Sequence, residues 1–261
     1  MPESDISDLA LIRDAAAEAG RIALKFFGME PQVWMKAGVS PVSEADYAAD
    51  TYLRERLLAA RPGYGWLSEE TADSPERLKA RRTFVVDPID GTRGFLSGGD
   101  EWCVSVAVVE NGRPVVGVLD CPAKNEIYWA EEGKGAFLNG KTISVRHPAE
   151  TLDIAGLKAT IKTLPVDIRA RVQEFRHVPS LAYRLAMVAR GAIDATFVKA
   201  NSHDWDLAAA DLILREAGGA VIDPWGEPLA LAGADPRHGA LAAGSGELLE
   251  EMRKVLSHGN A

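Results

Sequence analysis

Apolar residues recur at helical spacing at the start of the chain, where Ile6, Leu9, Ile12, Ala16, Ala19, Ala23 and Phe26 share one face. This spacing predicts a helix from about Ser4 to Phe27. A second helix is expected from about Glu44 to Ala60, opened by Ser43 and Asp46 at capping-box spacing and limited by Pro62. The period then changes. Thr83–Asp87 is a short apolar strand that Pro88 should stop, and Cys103–Glu110 alternates in strand fashion. Asn111-Gly112 makes a hairpin turn into Val115–Leu119, and a strand near Ile127–Ala130 with a turn at Asn139-Gly140 extends an antiparallel sheet.

Beyond about Glu150 helix and strand alternate. Ser180–Arg190 reads as a helix stopped by Gly191, and Ile193–Val198 as a strand. Trp205–Ala217 is a helix ended by Gly218-Gly219, Ala220–Asp223 a strand, and Glu247–Leu256 a last helix. The pattern predicts two lobes: residues 1–150 with helices and an antiparallel sheet, and residues 151–261 of α/β character.

Composition narrows the class. The chain has 261 residues, 47% apolar and 26% charged, as in an ordinary globular protein. No apolar run is long enough to span a bilayer. The start, Met1-Pro2-Glu3-Ser4-Asp5, lacks the basic-then-apolar layout of a secretory signal, so a cytoplasmic protein is expected. A net charge of −9 argues against binding a nucleic acid polymer, which depends on cationic side chains. It leaves a small phosphorylated partner open, because bound divalent cations can reverse the local field. Cys103 and Cys121 are expected to be free buried thiols.

The stretch Val85-Val86-Asp87-Pro88-Ile89-Asp90-Gly91-Thr92 carries the most chemistry. An apolar strand delivers Asp87 to its carboxyl end, and a tight turn can fold Asp90 back toward it. The Ile89 carbonyl can point into the same space. Two carboxylates and a carbonyl suit Mg²⁺, a hard cation that prefers oxygen. Backbone amides of Gly91 and Thr92 can then hold a phosphate oxygen. Asp-Pro and Asp-Gly are common turn pairs, but the whole string should arise by chance at roughly one start position in 10⁶–10⁷. The other candidate ligands are weaker singly. Glu69-Glu70, after Trp66-Leu67-Ser68, has the look of a solvated surface, and Asp206 suits a helix N-terminus through its charge.

Three ordered motifs change that balance. Ser68-Glu69-Glu70, then Asp87 to Thr92, then Trp205-Asp206 with Ala208-Ala209 and Glu216-Ala217-Gly218-Gly219, resemble the inositol monophosphatase superfamily from about Lys36 to Asp223. That group includes inositol monophosphatases and 3'(2'),5'-bisphosphate nucleotidases. The resemblance implies a layered α/β/α/β/α sandwich, between α+β and α/β in class. It implies Mg²⁺, two or three ions per site, held by Glu69, Asp87, Asp90, Asp206 and the Ile89 carbonyl. Thr92 and Glu69 would orient and activate the attacking water, with Asp46 as an upstream supporting acid; Asp46 also suits a helix N-terminus. A homodimer and inhibition by lithium are further family expectations. No histidine base is required, and His203 reads as a structural or substrate-side group.

Residues beyond the motifs bear on the substrate. Inositol-cleaving members carry a glutamate where this chain has Lys199, and a cation there suits a second phosphate better than a sugar hydroxyl. Arg93 and Phe95 resemble the nucleotidase version of the motif, whereas Gly94 departs from its usual acid and Pro179-Ser180 replaces a common Gly-Ser. The expected activity is therefore Mg²⁺-dependent hydrolysis of a bisphosphate nucleotide, with Gly91, Thr92, Arg93 and Lys199 as substrate contacts. The alternatives are an inositol or other sugar phosphatase, and a noncatalytic regulatory member.

Overall fold

The computed structural model describes residues 6–29, 31–36, 40–147, 149–156 and 158–258. The acidic start Met1–Asp5, with the Ser4 end expected for the first helix, lies outside them. Helix α1 spans Asp8–Leu24, opened by Ser7, whose Oγ accepts from the Ala10 amide at 3.2 Å. A short hairpin, β1 (Val33–Lys36) and β2 (Ser40–Ser43), leads into α2 (Glu44–Ala60). Strands β3 (Gly65–Ser68), β4 (Arg82–Asp90), β5 (Cys103–Glu110), β6 (Arg113–Cys121), β7 (Glu126–Glu131), β8 (Ala136–Leu138) and β9 (Lys141–Ile143) form one sheet in sequence order, with the short helix α3 (Thr92–Leu96) after β4. Only the β3–β4 pair is parallel; the rest is an antiparallel meander. Asn111 and Asn139 take φ of 52° and 49° at its hairpin turns, each followed by a left-handed glycine.

Next come β10 (Leu152–Ala155), α4 (Lys158–Ile161), α5 (Val166–Arg169), β11 (Val172–Glu174), α6 (Leu181–Ala189), β12 (Ala195–Val198), β13 (Ser202–His203) and α7 (Asp204–Glu216). The chain ends in β14 (Ala220–Ile222), β15 (Arg237–His238), β16 (Leu241–Gly244) and α8 (Gly246–His258). A second, mixed sheet has the order β11-β10-β12-β16-β14, and β13 pairs with β15. Alternation along the strands sorts the layers. Phe84, Val86, Val104, Val106 and Val108 face α1 and α2, while Val85, Cys103, Ala107 and Val109 face α6 and α7. Ala155, Val198 and Ala243 meet α6 and α7 from the second sheet, whose other face packs on α8 through Ile154, Phe197 and Met252. The result is the α/β/α/β/α sandwich, with α6 and α7 as its central layer.

The first helix is shorter than its apolar spacing suggests, because Phe26 and Phe27 leave the helix to join Phe95 and Trp102 in a separate aromatic cluster. One expectation needs a larger correction. Pro88 does not end its strand: pairing runs Asp87 to Ser105, slips, and resumes at Asp90 opposite Cys103. Proline lacks an N–H, so the ladder skips it as a bulge that re-aims the flanking side chains. Strands β10, β11, β15 and β16 escape pattern reading, being only two to four residues long. Cys103 and Cys121 are free and buried, as expected.

Candidate active site

The bulge in β4 does the local work. Asp87 is odd-numbered and so points toward α6 and α7, away from the layer that covers Phe84 and Val86. Its Oδ1 accepts from the Ile89 amide at 3.0 Å, which closes the turn over Pro88. Ile89 itself is anchored in the cluster with Phe95 and Trp102. Asp90 then reaches across to the N-terminus of α6. Its Oδ2 accepts from Ser180 Oγ at 2.5 Å and from the Ala182 amide at 2.6 Å, where the helix dipole favours an anion.

Asp206 arrives from the first turn of α7, its Oδ2 accepting from the His203 amide at 2.8 Å. Asp46 makes the same kind of turn at the start of α2, accepting from the Ser43 amide at 2.8 Å and the Ser43 hydroxyl at 2.6 Å. Thr92 Oγ1 lies 3.2 Å from Asp46 Oδ1 and 3.0 Å from the Ile89 carbonyl oxygen. Its single proton has two acceptors, so its lone pairs are left for a third partner.

Asp87, Asp90 and Asp206 each bring a carboxylate oxygen within 4.8 Å of the others. Glu69 stands outside that trio, yet its charge raises all three. Burial pushes Asp87 well above the ordinary carboxylate range, and the charges of Glu69, Asp90 and Asp206 add to this. Asp90 rises to about 6, again mainly through burial, with the Ser180 and α6 amide bonds opposing. Asp206 is raised well above its usual value by burial and then by Asp90, and Lys199 pulls the other way. Such a cluster requires protons or cations. Its donors are all oxygen, which matches the preference of Mg²⁺ over softer metals.

The remaining candidates fall around this core. Lys199 is exposed beyond β12, and Arg93 is exposed on α3. Gly91 has φ of 96°, and a Cβ there would lie 3.1 Å from the Ser180 amide nitrogen and 3.2 Å from the Glu101 carbonyl oxygen. Gly91→Ala is expected to cost about 1–3 kcal/mol and to displace Ser180 from Asp90. A lower melting temperature together with reduced turnover would bear that out; wild-type behaviour in both would not.

Gly94 and Pro179 explain each other, since a Cβ at 94 would come within 2.9 Å of the Pro179 ring. Glu216 binds no substrate group here; its two oxygens accept from the Gly133 and Gly135 amides at 2.9 and 2.8 Å and pin the β7–β8 turn. Sequence reading missed Ser180 as the partner of Asp90. Its place before an apolar helix marks a cap, but the acid it would hold lies 90 positions earlier.

Comparison with known proteins agrees with this geometry. The model of the inositol monophosphatase family matches residues 7–258. An inositol-1-monophosphatase of Mesorhizobium japonicum is 35% identical over 227 residues, covering 82% of this chain and 85% of the relative. A histidinol-phosphatase of Mycobacterium tuberculosis is 30% identical across 99% of this chain and 100% of its own length. The Thermotoga maritima IMPase structure superposes with a TM-score of 0.81 at 29% identity, covering 94% of both chains. Among the described residues no helix is long and apolar enough to cross a membrane. With its oxygen-only carboxylate cluster set between two sheets, the chain belongs to the inositol monophosphatase family and is a Mg²⁺-dependent phosphoric monoester hydrolase.

Proposed function

We propose that the chain hydrolyses the phosphate monoester of a small hydroxylated metabolite, inositol 1-phosphate or a similar polyol phosphate, at the carboxylate cluster. The reading rests most on the meeting of Asp87, Asp90 and Asp206 within 4.8 Å. It also draws on relatives named as inositol-1-monophosphatases and one named as a histidinol-phosphatase. Glu69, Asp87, Asp90, Asp206 and the Ile89 carbonyl would hold Mg²⁺. The cations would supply charge neutralisation on the transferred phosphoryl group and its leaving oxygen.

The chain's own groups handle the water. Thr92 Oγ1 turns its lone pairs to the attacking water because its proton faces Asp46 and the Ile89 carbonyl. Glu69 would fix the water's second hydrogen. A proton leaving the water can pass to Thr92 Oγ1 while the Thr92 proton passes to Asp46 Oδ1, an acid already raised by burial. The Gly91 and Thr92 amides would hold a phosphate oxygen. We include a homodimer in this proposal, read out as a solution mass near twice 28.0 kDa.

A bisphosphate nucleotide is the second reading, and two cations favour it. Lys199 acts on Asp206, and the buried Arg184 Nε has no hydrogen-bond partner beside Asp90. Phosphate release with Mg²⁺ should be measured on inositol 1-phosphate, histidinol phosphate and adenosine 3',5'-bisphosphate. Preference for a monophosphate supports the first reading; preference for the bisphosphate replaces it with the second. Release from none of these or any other small ester would end both. Lys199→Glu should shift the ratio of kcat/KM by about tenfold toward inositol 1-phosphate if a second phosphate sits at Lys199. Equal change on both substrates would remove Lys199 from the pocket.

A further inference from the structure

One turn beyond Asp46, helix α2 carries a second buried carboxylate that the chemistry above does not use. Both oxygens of Asp50 are engaged: Ser68 Oγ donates to Oδ1 at 2.5 Å and Thr71 Oγ1 donates to Oδ2 at 2.7 Å. Each of those hydroxyls is also an acceptor. Ser68 Oγ receives the Glu70 amide at 3.2 Å, and Thr71 Oγ1 receives Trp66 Nε1 at 3.3 Å. A hydroxyl has one proton to give, so two such hydroxyls need a partner that accepts twice. A carboxylate does this; an amide of the same shape can accept at only one of its two positions.

Ser68 and Thr71 bracket Glu69 and Glu70. The Glu69 amide also donates to the Val86 carbonyl oxygen at 3.2 Å, one residue before Asp87. The segment carrying Glu69 is therefore tied to β4 by its main chain and to α2 on both sides of the acid. Asp46 and Asp50 are four residues apart and share a helix face. Asp46 engages Thr92 and Asp50 engages the Glu69 turn, so one rigid helix sets both segments. The Glu69 charge is felt at Asp46, as expected of groups held on a common frame.

We propose that Asp50 is a positioning residue: by holding Ser68 and Thr71 it fixes the Glu69 carboxylate relative to Asp87 and Asp90, and so sets the cation affinity of the site. The proposal rests on the reading that Glu69 serves the cation cluster. Loss of Asp50 should then weaken cation binding far more than substrate binding, as partners behind metal ligands commonly do.

The test compares Asp50→Asn, Thr71→Val and Glu69→Gln with the wild-type chain. Mn²⁺ binding without substrate is followed by electron paramagnetic resonance, alongside melting temperature, KM and the Mg²⁺ concentration for half-maximal turnover. Asp50→Asn should weaken Mn²⁺ binding and raise the Mg²⁺ requirement by about 10–100-fold, with KM nearly unchanged and turnover recovering at high Mg²⁺. Thr71→Val keeps the acid and the shape, and should show the same effect at about threefold or more. It decides the matter if Asp50→Asn does not fold. A lowered melting temperature with wild-type Mn²⁺ affinity in the folded variants would make Asp50 purely structural and overturn the proposal. Wild-type binding and turnover in Glu69→Gln would instead overturn the reading beneath it.

Discussion

Asp90→Asn is expected to lower turnover by about 10³-fold or more while making the metal-free protein more stable. The loss follows from removing a full charge where the phosphoryl group must be neutralised. The gain follows from the same charge. Burial lifts Asp90 from 3.8 to about 6, so its ionised form costs the native state roughly 3 kcal/mol near pH 7 without a cation. Asparagine keeps the volume, and its carbonyl oxygen can still accept from Ser180 Oγ and the Ala182 amide. Each kcal/mol recovered should raise the melting temperature by roughly 2–4 °C in a chain of this size. The checks are phosphate release with Mg²⁺ and thermal melting in EDTA. Near-normal turnover, or a lower metal-free melting temperature, would show that Asp90 is not a cation ligand held under strain.

Removing Mg²⁺ should make stability fall as pH rises from about 4 to 8. Asp46, Asp87, Asp90 and Asp206 all have folded pKa values above the unfolded one. Over that interval the unfolded chain gives up its protons first and binds fewer than the native state. Stability is therefore fully present below about pH 4 and is lost as pH climbs through about 6 and beyond. Mg²⁺ should flatten this slope by replacing the retained protons. It should not abolish it. Asp120, raised to about 7 by burial beneath α1, and Asp211, raised to about 6, lie outside the cluster and keep their share. Asp120→Asn supplies the control: it should reduce the slope in EDTA and leave the Mg²⁺-dependent part intact. Melting curves at several pH values, with EDTA or Mg²⁺, measure both parts. A slope indifferent to Mg²⁺ would mean that the cluster does not bind the ion.

Much of this molecule is written locally. Residues Glu44–Ala60 form a helix because their capping signals and their limiting proline are adjacent in sequence, and Cys103–Glu110 pairs where its alternation says it should. The acids that carry the chemistry stand in motifs with their own strand ends and helix starts, so Glu69, Asp87, Asp90, Thr92 and Asp206 can be named from the chain alone. What could not be named is everything that depends on two segments meeting. The anchor of Asp90 at Ser180 and the framing of Glu69 by Asp50 join residues from separate segments, 90 and 18 positions apart in their hydrogen bonds. The fit of Gly94 to Pro179 likewise appears only once α3 faces the start of α6. Short-range spacing and capping report a residue's own neighbours. Burial of a carboxylate, the field it feels and the hydroxyl that holds it are set by chain that arrives from elsewhere, and only packing of the α6–α7 layer between two sheets decides which side chains those are.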